Sequence, residues 1–212
     1  MSISISEAAT VWSEPADRRD SSEPLLLLMH GYGADEADLV GLAPHLPRGL
    51  ATVSVRAPLT AGPGFAWVPI DEPGRPDPQA TQDAADAVLA WLGSHVPESR
   101  PVGLLGFSQG GLMVTHLLRS APRRFWAGAV LSGFVVDAPH PGDDEVAEVR
   151  PPVFFGYGDR DQIIAPDAFA RAHEWLSART DLTEVVYPGL PHGISPKELQ
   201  DVSTFLTEHA PR

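Results

Sequence analysis

The chain has 212 residues, 43% of them hydrophobic, which is typical of a folded globule with a full core rather than a disordered chain. Its 28 acidic and 15 basic side chains give a formal net charge of −13, so we expect neither nucleic acid nor an anionic bilayer as a partner. There are no cysteines, which excludes disulfides, thiolate metal sites and a cysteine nucleophile.

The amino-terminal segment alternates polar and apolar residues over 2–6, which predicts a half-buried edge strand. It has no basic stretch followed by an apolar core, so it does not resemble a signal peptide. The longest apolar run near it, 25–29, is far too short to cross a bilayer. We therefore expect a cytoplasmic protein with no stable membrane insertion.

Short apolar runs and helical patterns alternate along the rest of the chain. Continuous apolar runs predict strands buried on both faces of a sheet, and a 3.6-residue period predicts helices. The predicted strands are 25–29, 51–55, 102–105, 126–131, 153–155 and 183–187. The predicted helices are 79–95, 109–119, 166–178 and 196–209. The predicted loops are 14–23, the Pro- and Gly-rich segment 58–78, and the acidic segment 137–150.

This alternation predicts the fold class. Strands that alternate with helices favour an α/β fold with a mainly parallel sheet and helices on both faces. No internal repeat or linker interrupts the pattern, so we expect a single domain over 1–212 with no separate lid domain.

A candidate nucleophile lies between the predicted strand 102–105 and the helix that follows. Residues 106–110 read Gly-Phe-Ser-Gln-Gly, which matches the G-x-S-x-G nucleophile elbow and places Ser108 in a tight strand-to-helix turn. Small neighbours let the backbones approach closely, and the helix amino terminus favours a developing anion. A glycine-rich turn with a solvated serine is the alternative, and the strand–turn–helix context favours the nucleophile.

A serine hydroxyl needs a base, and in this arrangement the acid and the histidine follow the serine along the chain. Asp161 follows the predicted strand 153–155 and leads into the next helix, which favours it as the acid. Asp159 is the competitor, and we interpret it as shaping the turn. His192 lies in a loop flanked by Pro and Gly, and we predict that it is the general base. His173 and His209 fall within predicted helices.

An oxyanion hole requires two backbone N–H donors. We expect one from Gln109, which follows the serine, and one from Tyr32, in the glycine-containing loop after strand 25–29. His30 precedes the serine in the chain, so we interpret it as a brace for that loop. Phe65 and Trp67 are candidates for one wall of an acyl groove, although these aromatics could equally pin the long loop to the core. Phe134 and Val135 are candidates for the opposite wall.

Seven motifs together resemble the phospholipase/carboxylesterase family of α/β-hydrolases, which includes acyl-protein thioesterases and small bacterial carboxylesterases. In chain order they are HGYGADEADL (30–39), RAP (56–58), FAW (65–67), GFSQGG (106–111), LSG (131–133), GDRDQIIAP (158–166) and LPHGIS (190–195). The resemblance covers almost the whole chain. It implies an α/β-hydrolase fold, a Ser108–His192–Asp161 triad, and hydrolysis of small-molecule esters or thioesters without a metal or other cofactor.

The predicted substrate preference depends on one departure from the family's sequence pattern and on the expected absence of a lid domain. Thioesterase members often carry a short Ser-rich stretch after the catalytic histidine, where residues 193–196 here read Gly-Ile-Ser-Pro, so the closer likeness is to the bacterial esterases. Without a lid domain the groove should be shallow. We therefore predict a carboxylesterase for short to medium acyl chains.

Other functions remain open from the sequence. A thioesterase, a lysophospholipase or an acyltransferase could use the same triad, and a non-catalytic binding protein could keep the scaffold. A metal hydrolase is suggested only by the run 140–145, His-Pro-Gly-Asp-Asp-Glu, which lacks a firm ligand spacing and reads as a solvated acidic loop. The assembly state, including a homodimer, is also left open.

Overall fold

The computed structural model describes residues 3–70 and 74–211, and its centre is a seven-stranded sheet. The sheet strands are β1 (Val11–Trp12), β2 (Leu25–Met29), β3 (Ala51–Val55), β6 (Val102–Phe107), β7 (Phe125–Leu131), β8 (Pro152–Gly158) and β9 (Asp181–Tyr187). A separate hairpin contains β4 (Leu59–Ala61) and β5 (Gly64–Ala66). The order across the sheet is β1-β3-β2-β6-β7-β8-β9, and only the pairing of β1 with β3 is antiparallel. The predicted mainly parallel sheet is confirmed.

Within the described residues, five α-helices flank the sheet: α1 (Pro78–His95), α2 (Gln109–Ser120), α3 (Asp143–Val149), α4 (Pro166–Arg179) and α5 (Pro196–His209). Their starts follow local rules, since α1, α4 and α5 each begin with a proline and the Asp77 side chain accepts from the Ala80 amide. An eight-residue 3₁₀ helix, Asp38–His45, follows β2 and was not predicted.

Side chains of the central strands divide between two cores because neighbours on a strand point to opposite faces. In β2, Leu25, Leu27 and Met29 pack with the face that α1, α2 and α4 cover. Leu26 and Leu28 pack with the face that α5 and the 3₁₀ helix cover. All five side chains are fully buried, which explains the unbroken apolar run.

Three segments differ from their prediction. The predicted edge strand over 2–6 is wrong for the described residues 3–6, and the edge is formed by β1 instead. The loop 58–78 contains the β4–β5 hairpin, whose turn uses Gly62 at φ 60°. The acidic loop 137–150 contains α3, because Asp143, Asp144 and Glu145 fall in the first helical turn, where the helix dipole favours acids, and Val146 supplies a buried contact. Within the described residues, no helix has the length and apolar character needed to cross a membrane.

Candidate active site

Ser108 occupies a strained turn at the carboxyl end of β6. Its backbone has φ 56° and ψ −115°, a conformation that L-residues rarely adopt, and α2 begins at the next residue. The Ser108 amide donates to the Leu131 carbonyl at 2.8 Å, which ties the turn to the neighbouring strand. The side chain is only 7% exposed and lines a surface groove of about 430 Å³.

The glycines around the serine are required by backbone contacts. A Cβ on Gly110 would lie 1.8 Å from the Met29 carbonyl oxygen, and one on Gly106 would lie 2.1 Å from the Gly110 carbonyl oxygen. Strand β2, strand β6 and the start of α2 therefore meet without room for a methyl group. This packing presses the serine turn against the loop that follows β2.

We expect Gly110→Ala to lower the free energy of unfolding by more than about 3 kcal/mol and to remove most activity, because rigid backbone must move to admit the methyl group. Gly93→Ala is the matched control, since Gly93 lies within α1 with nothing inside 4 Å of its added Cβ. Helix propensity predicts about 1 kcal/mol of stabilisation for that control. Denaturant unfolding of both variants checks the prediction, and equal stabilities would contradict it.

Asp161 and His192 are brought together from different loops. The Nδ1 atom of His192 lies 2.6 Å from Oδ2 of Asp161, whose side chain is 1% exposed. The other carboxylate oxygen accepts from the amides of Ile163 and Ile164, both at 2.9 Å. These bonds hold the carboxylate in one orientation toward the imidazole.

Asp159 has a different role from Asp161. Its Oδ1 accepts from the Gly189 amide at 2.6 Å, and the Arg160 amide donates to the Leu190 carbonyl at 3.1 Å. Both bonds join the turn after β8 to the loop that carries His192. Asp159 therefore shapes the turn, as the sequence suggested.

The loop after β2 lies directly beside the serine. A Cβ on Gly31 would lie 3.5 Å from the Cβ of Ser108, so the two backbones are close. The amides of Gly33 and Ala34 donate to carbonyls of Phe65 and Gly31, whereas the Tyr32 amide has no hydrogen bond to the residues that the structure describes. Gln109 opens α2, where the first amides lack an intrahelical acceptor. Two backbone donors are thus available near Ser108.

A buried network braces this loop. The Ala57 amide donates to Nε2 of His30, so the proton is on Nδ1, which donates to the Gly31 carbonyl at 2.7 Å. Burial lowers the pKa of His30, which keeps the ring neutral for both bonds. Trp67 Nε1 donates to the His30 carbonyl at 2.8 Å, and the Gln109 side chain accepts from the Trp67 amide at 3.0 Å. His30 therefore contacts the loop as a brace.

The groove walls are mostly apolar. The described residues that line it are Gly31, Tyr32, Ala34, Asp38, Val68, Pro69, Ile70, Gly74, Pro76, Phe107, Ser108, Gln109, Phe134, Ile163, Ile164 and His192. Of the four candidates for the acyl walls, Phe134 lines the groove. Trp67 is fully buried beneath it, Phe65 packs under Arg56, and Val135 is buried elsewhere.

The wall residues missed by the sequence analysis follow residues it had singled out. The segment 68–70 comes directly after Trp67, and residues 163 and 164 come directly after the Asp161 turn. The apolar character of these residues in predicted loops was the signal that could have identified them as groove walls. Exposed apolar side chains in a loop next to a proposed catalytic residue point to a substrate contact.

Glu198 is buried at the start of α5, just beyond the His192 loop. Its Oε2 accepts from the Ser195 amide, and the Ser195 side chain accepts from the Glu198 amide, which forms a capping box. Its Oε1 has no partner among the described residues and faces Gly156 of β8. Burial raises the pKa of Glu198 to about 7.

This raised pKa predicts a pH-dependent stability. The folded-state pKa of Glu198 lies above its ordinary value of 4.5, so between these two values the folded chain holds a proton on Glu198 that the unfolded chain releases. The stability that depends on this proton is fully present below about pH 4.5 and is lost as the pH rises through about 7. Glu198→Gln mimics the neutral acid. The difference in free energy of unfolding between this variant and the parent should shift in favour of the variant by about 3 kcal/mol from pH 4.5 to pH 8.5. Glu208→Gln, at an exposed position of α5, is the control for denaturant unfolding at both pH values. A gain that is equal at both pH values would contradict the prediction.

The histidine-containing acidic run does not assemble a metal site in the part of the chain that the structure describes. His140 Nε2 bonds to the Gln82 side chain, and Asp143 accepts from the His140 amide and pairs with Arg119. No group of three His, Asp or Glu residues within 3–70 and 74–211 is arranged to hold a metal ion.

Comparison with known proteins identifies relatives along nearly the whole chain. The family profile described as phospholipase/carboxylesterase matches residues 14–210. Acyl-protein thioesterase 1 of Kluyveromyces lactis is 25% identical over 91% of this chain and 95% of its own length. Esterase YpfH of Escherichia coli is 25% identical over 89% of this chain and 82% of its own length. Other relatives align over 43% to 60% of their own length.

A crystal structure of a carboxylesterase from Mesorhizobium loti has the same fold. It superposes with a TM-score of 0.78 and covers 98% of this chain and 99% of its own, at 20% sequence identity. The predicted α/β-hydrolase fold is thereby confirmed.

Proposed function

The chain belongs to the phospholipase/carboxylesterase family, and from that premise we propose that it hydrolyses short to medium acyl esters with Ser108, His192 and Asp161 as its triad. Family membership makes it a serine hydrolase of carboxylic esters or thioesters. The observation that carries the residue assignment is the groove itself. Ser108 and His192 line it together, and Asp161 contacts His192 from behind.

The proposed reaction follows the chemistry of these groups. His192 takes the Ser108 proton as Oγ attacks the ester carbonyl, while Asp161 stabilises the imidazolium and fixes its tautomer. The Tyr32 and Gln109 amides donate to the oxyanion, each worth about 3 kcal/mol in comparable sites. The alcohol leaves with the proton from His192. Water, activated by the same histidine, then attacks the acyl-enzyme and releases the acid.

The groove supports a limit on acyl length. Its volume of about 430 Å³ lies toward the small end for a ligand pocket, and exposed side chains of Ile70 and Ile163 border its open mouth. A short hydrocarbon can be covered by these walls, whereas a long chain extends into water. We therefore propose that catalytic efficiency peaks at short to medium chains.

The test is hydrolysis of p-nitrophenyl esters from acetate to palmitate by the purified protein. The expected result is a maximum of kcat/KM between butyrate and octanoate, and a maximum at palmitate would overturn the length assignment. Absence of turnover on every ester would overturn the ester-hydrolase proposal.

An acyltransferase would use the same acyl-enzyme, and one assay separates it from a hydrolase. With p-nitrophenyl butyrate and added primary alcohols or amines, a hydrolase forms mainly butyrate, whereas a transferase forms mainly the new ester or amide. We propose that water is the acceptor, because the groove is open to solvent. We also propose that the protein acts in the cytoplasm.

A further inference from the structure

The groove beside Ser108 is apolar on most sides and acidic at one edge. Its hydrocarbon walls include Phe134, Ile163 and Ile164. Asp38, the first residue of the 3₁₀ helix, is the acid among the described lining residues, which include no lysine or arginine. The groove therefore offers a wall for hydrocarbon and an edge for a positive charge.

The carboxylate of Asp38 is available to a substrate. It is exposed, and no hydrogen bond or ion pair joins its side chain to the residues that the structure describes. The two other acids of the segment 30–39 are engaged, since Asp35 accepts from the Ala37 amide at 2.9 Å and Glu36 forms a two-pronged ion pair with Arg56. Asp38 is thus the acid of this segment that faces the groove with its charge unpaired among the described residues.

An aromatic ring lies on the same segment. Tyr32 lines the groove and is 50% exposed, so its ring is accessible to a ligand there. The face of an aromatic ring attracts cations, and quaternary ammonium groups are bound by such rings together with carboxylates. Asp38 and Tyr32, both exposed, supply both kinds of group to the lining of the groove.

We propose that the groove selects esters whose alcohol portion carries an alkylammonium cation, and that Asp38 determines this specificity. The inference rests on the proposed function. The acyl hydrocarbon takes the apolar walls, which leaves the edge at Asp38 and Tyr32 for the leaving group. The net charge of −13 attracts the same substrates over a longer range and repels anionic ones.

The test compares two thioesters that differ in one charge. Butyrylthiocholine carries a trimethylammonium group, and S-(3,3-dimethylbutyl) thiobutyrate replaces its nitrogen by carbon, so the two have nearly the same shape. Thiol release is followed with a disulfide dye, to which a chain without cysteine gives no background. We expect kcat/KM to favour the cation by about five-fold at low ionic strength, and less in high salt.

Two variants separate a local from a general charge effect. Asp38→Asn is expected to bring the ratio of the two kcat/KM values close to one. Asp35→Asn removes the same charge from the same segment outside the groove and leaves an oxygen to accept from the Ala37 amide, so it should keep the preference. The ratio cancels any change in overall activity.

The possible outcomes distinguish a failure of the role of Asp38 from a failure of the proposed function. A wild-type ratio near one, or a ratio that Asp38→Asn leaves unchanged, overturns the role of Asp38. Turnover of p-nitrophenyl butyrate with none of the cationic thioester overturns it as well. Failure to hydrolyse any ester or thioester overturns the proposed function instead.

Discussion

Ser108→Ala is expected to lower kcat/KM for p-nitrophenyl butyrate by about 10⁴-fold or more while the protein remains folded. The reason is that no acyl-enzyme forms without Oγ, and only groove binding and the oxyanion donors remain. The Ser108 side chain makes no cap hydrogen bond, so its removal leaves the turn with its backbone bond to Leu131. The measurement is steady-state hydrolysis, with circular dichroism and thermal unfolding to verify the fold.

Ser132→Ala is a close matched control for that loss. Ser132 also follows a sheet strand, has positive φ at 46° and is fully buried, and its Oγ has no partner among the described residues. The same substitution there should change activity only a few-fold. A fluorophosphonate probe should label the parent and the control but not Ser108→Ala. Equal hydrolysis by parent and Ser108→Ala would place the reaction elsewhere.

The sequence predicted those elements in which a single constraint, such as burial or close backbone contact, determines the residue type at each position. The run of leucines in β2 is apolar at every position because both faces of the sheet are covered, and that burial needs no knowledge of partners. The elbow was predictable for a similar reason. Gly106 and Gly110 are small because backbones pass within contact distance of their hydrogens, and this constraint appears directly in the sequence.

Elements held by tertiary contacts escaped the sequence analysis. Helix α3 is short and acidic, and it is stabilised by the pairing of Asp143 with Arg119 and by a hydrogen bond from Trp175 to Asp143. None of these partners is near in sequence. The same reason applies to the groove, where the sequence left Trp67 either to line the wall or to pin the loop to the core, and its indole donates to the His30 carbonyl from beneath the loop. An indole N–H tends to find a partner when buried, and only the fold identifies that partner.

Asp161→Asn is the second variant for which we expect a very large effect, a fall in kcat of about 10³- to 10⁴-fold with little change in KM. Oδ1 of Asp161 accepts from two backbone amides, so the asparagine oxygen will keep that position and turn its NH₂ group toward His192. An NH₂ donor requires an unprotonated Nδ1. The proton then lies on Nε2, and the imidazole cannot take the serine proton.

Asp159→Asn tests whether the loss belongs to this acid or to any change in the turn. Its oxygen can still accept from the Gly189 amide, so the loop that carries His192 should keep its place and kcat should fall only a few-fold. A double variant with Ser108→Ala adds a second criterion. If Asp161 acts only through the histidine that activates the serine, Asp161→Asn should lower kcat almost not at all in a chain that already carries Ser108→Ala. A full further loss of kcat in the double variant would show that Asp161 does not act through Ser108. A larger loss for Asp159→Asn than for Asp161→Asn would assign the acid's role to Asp159.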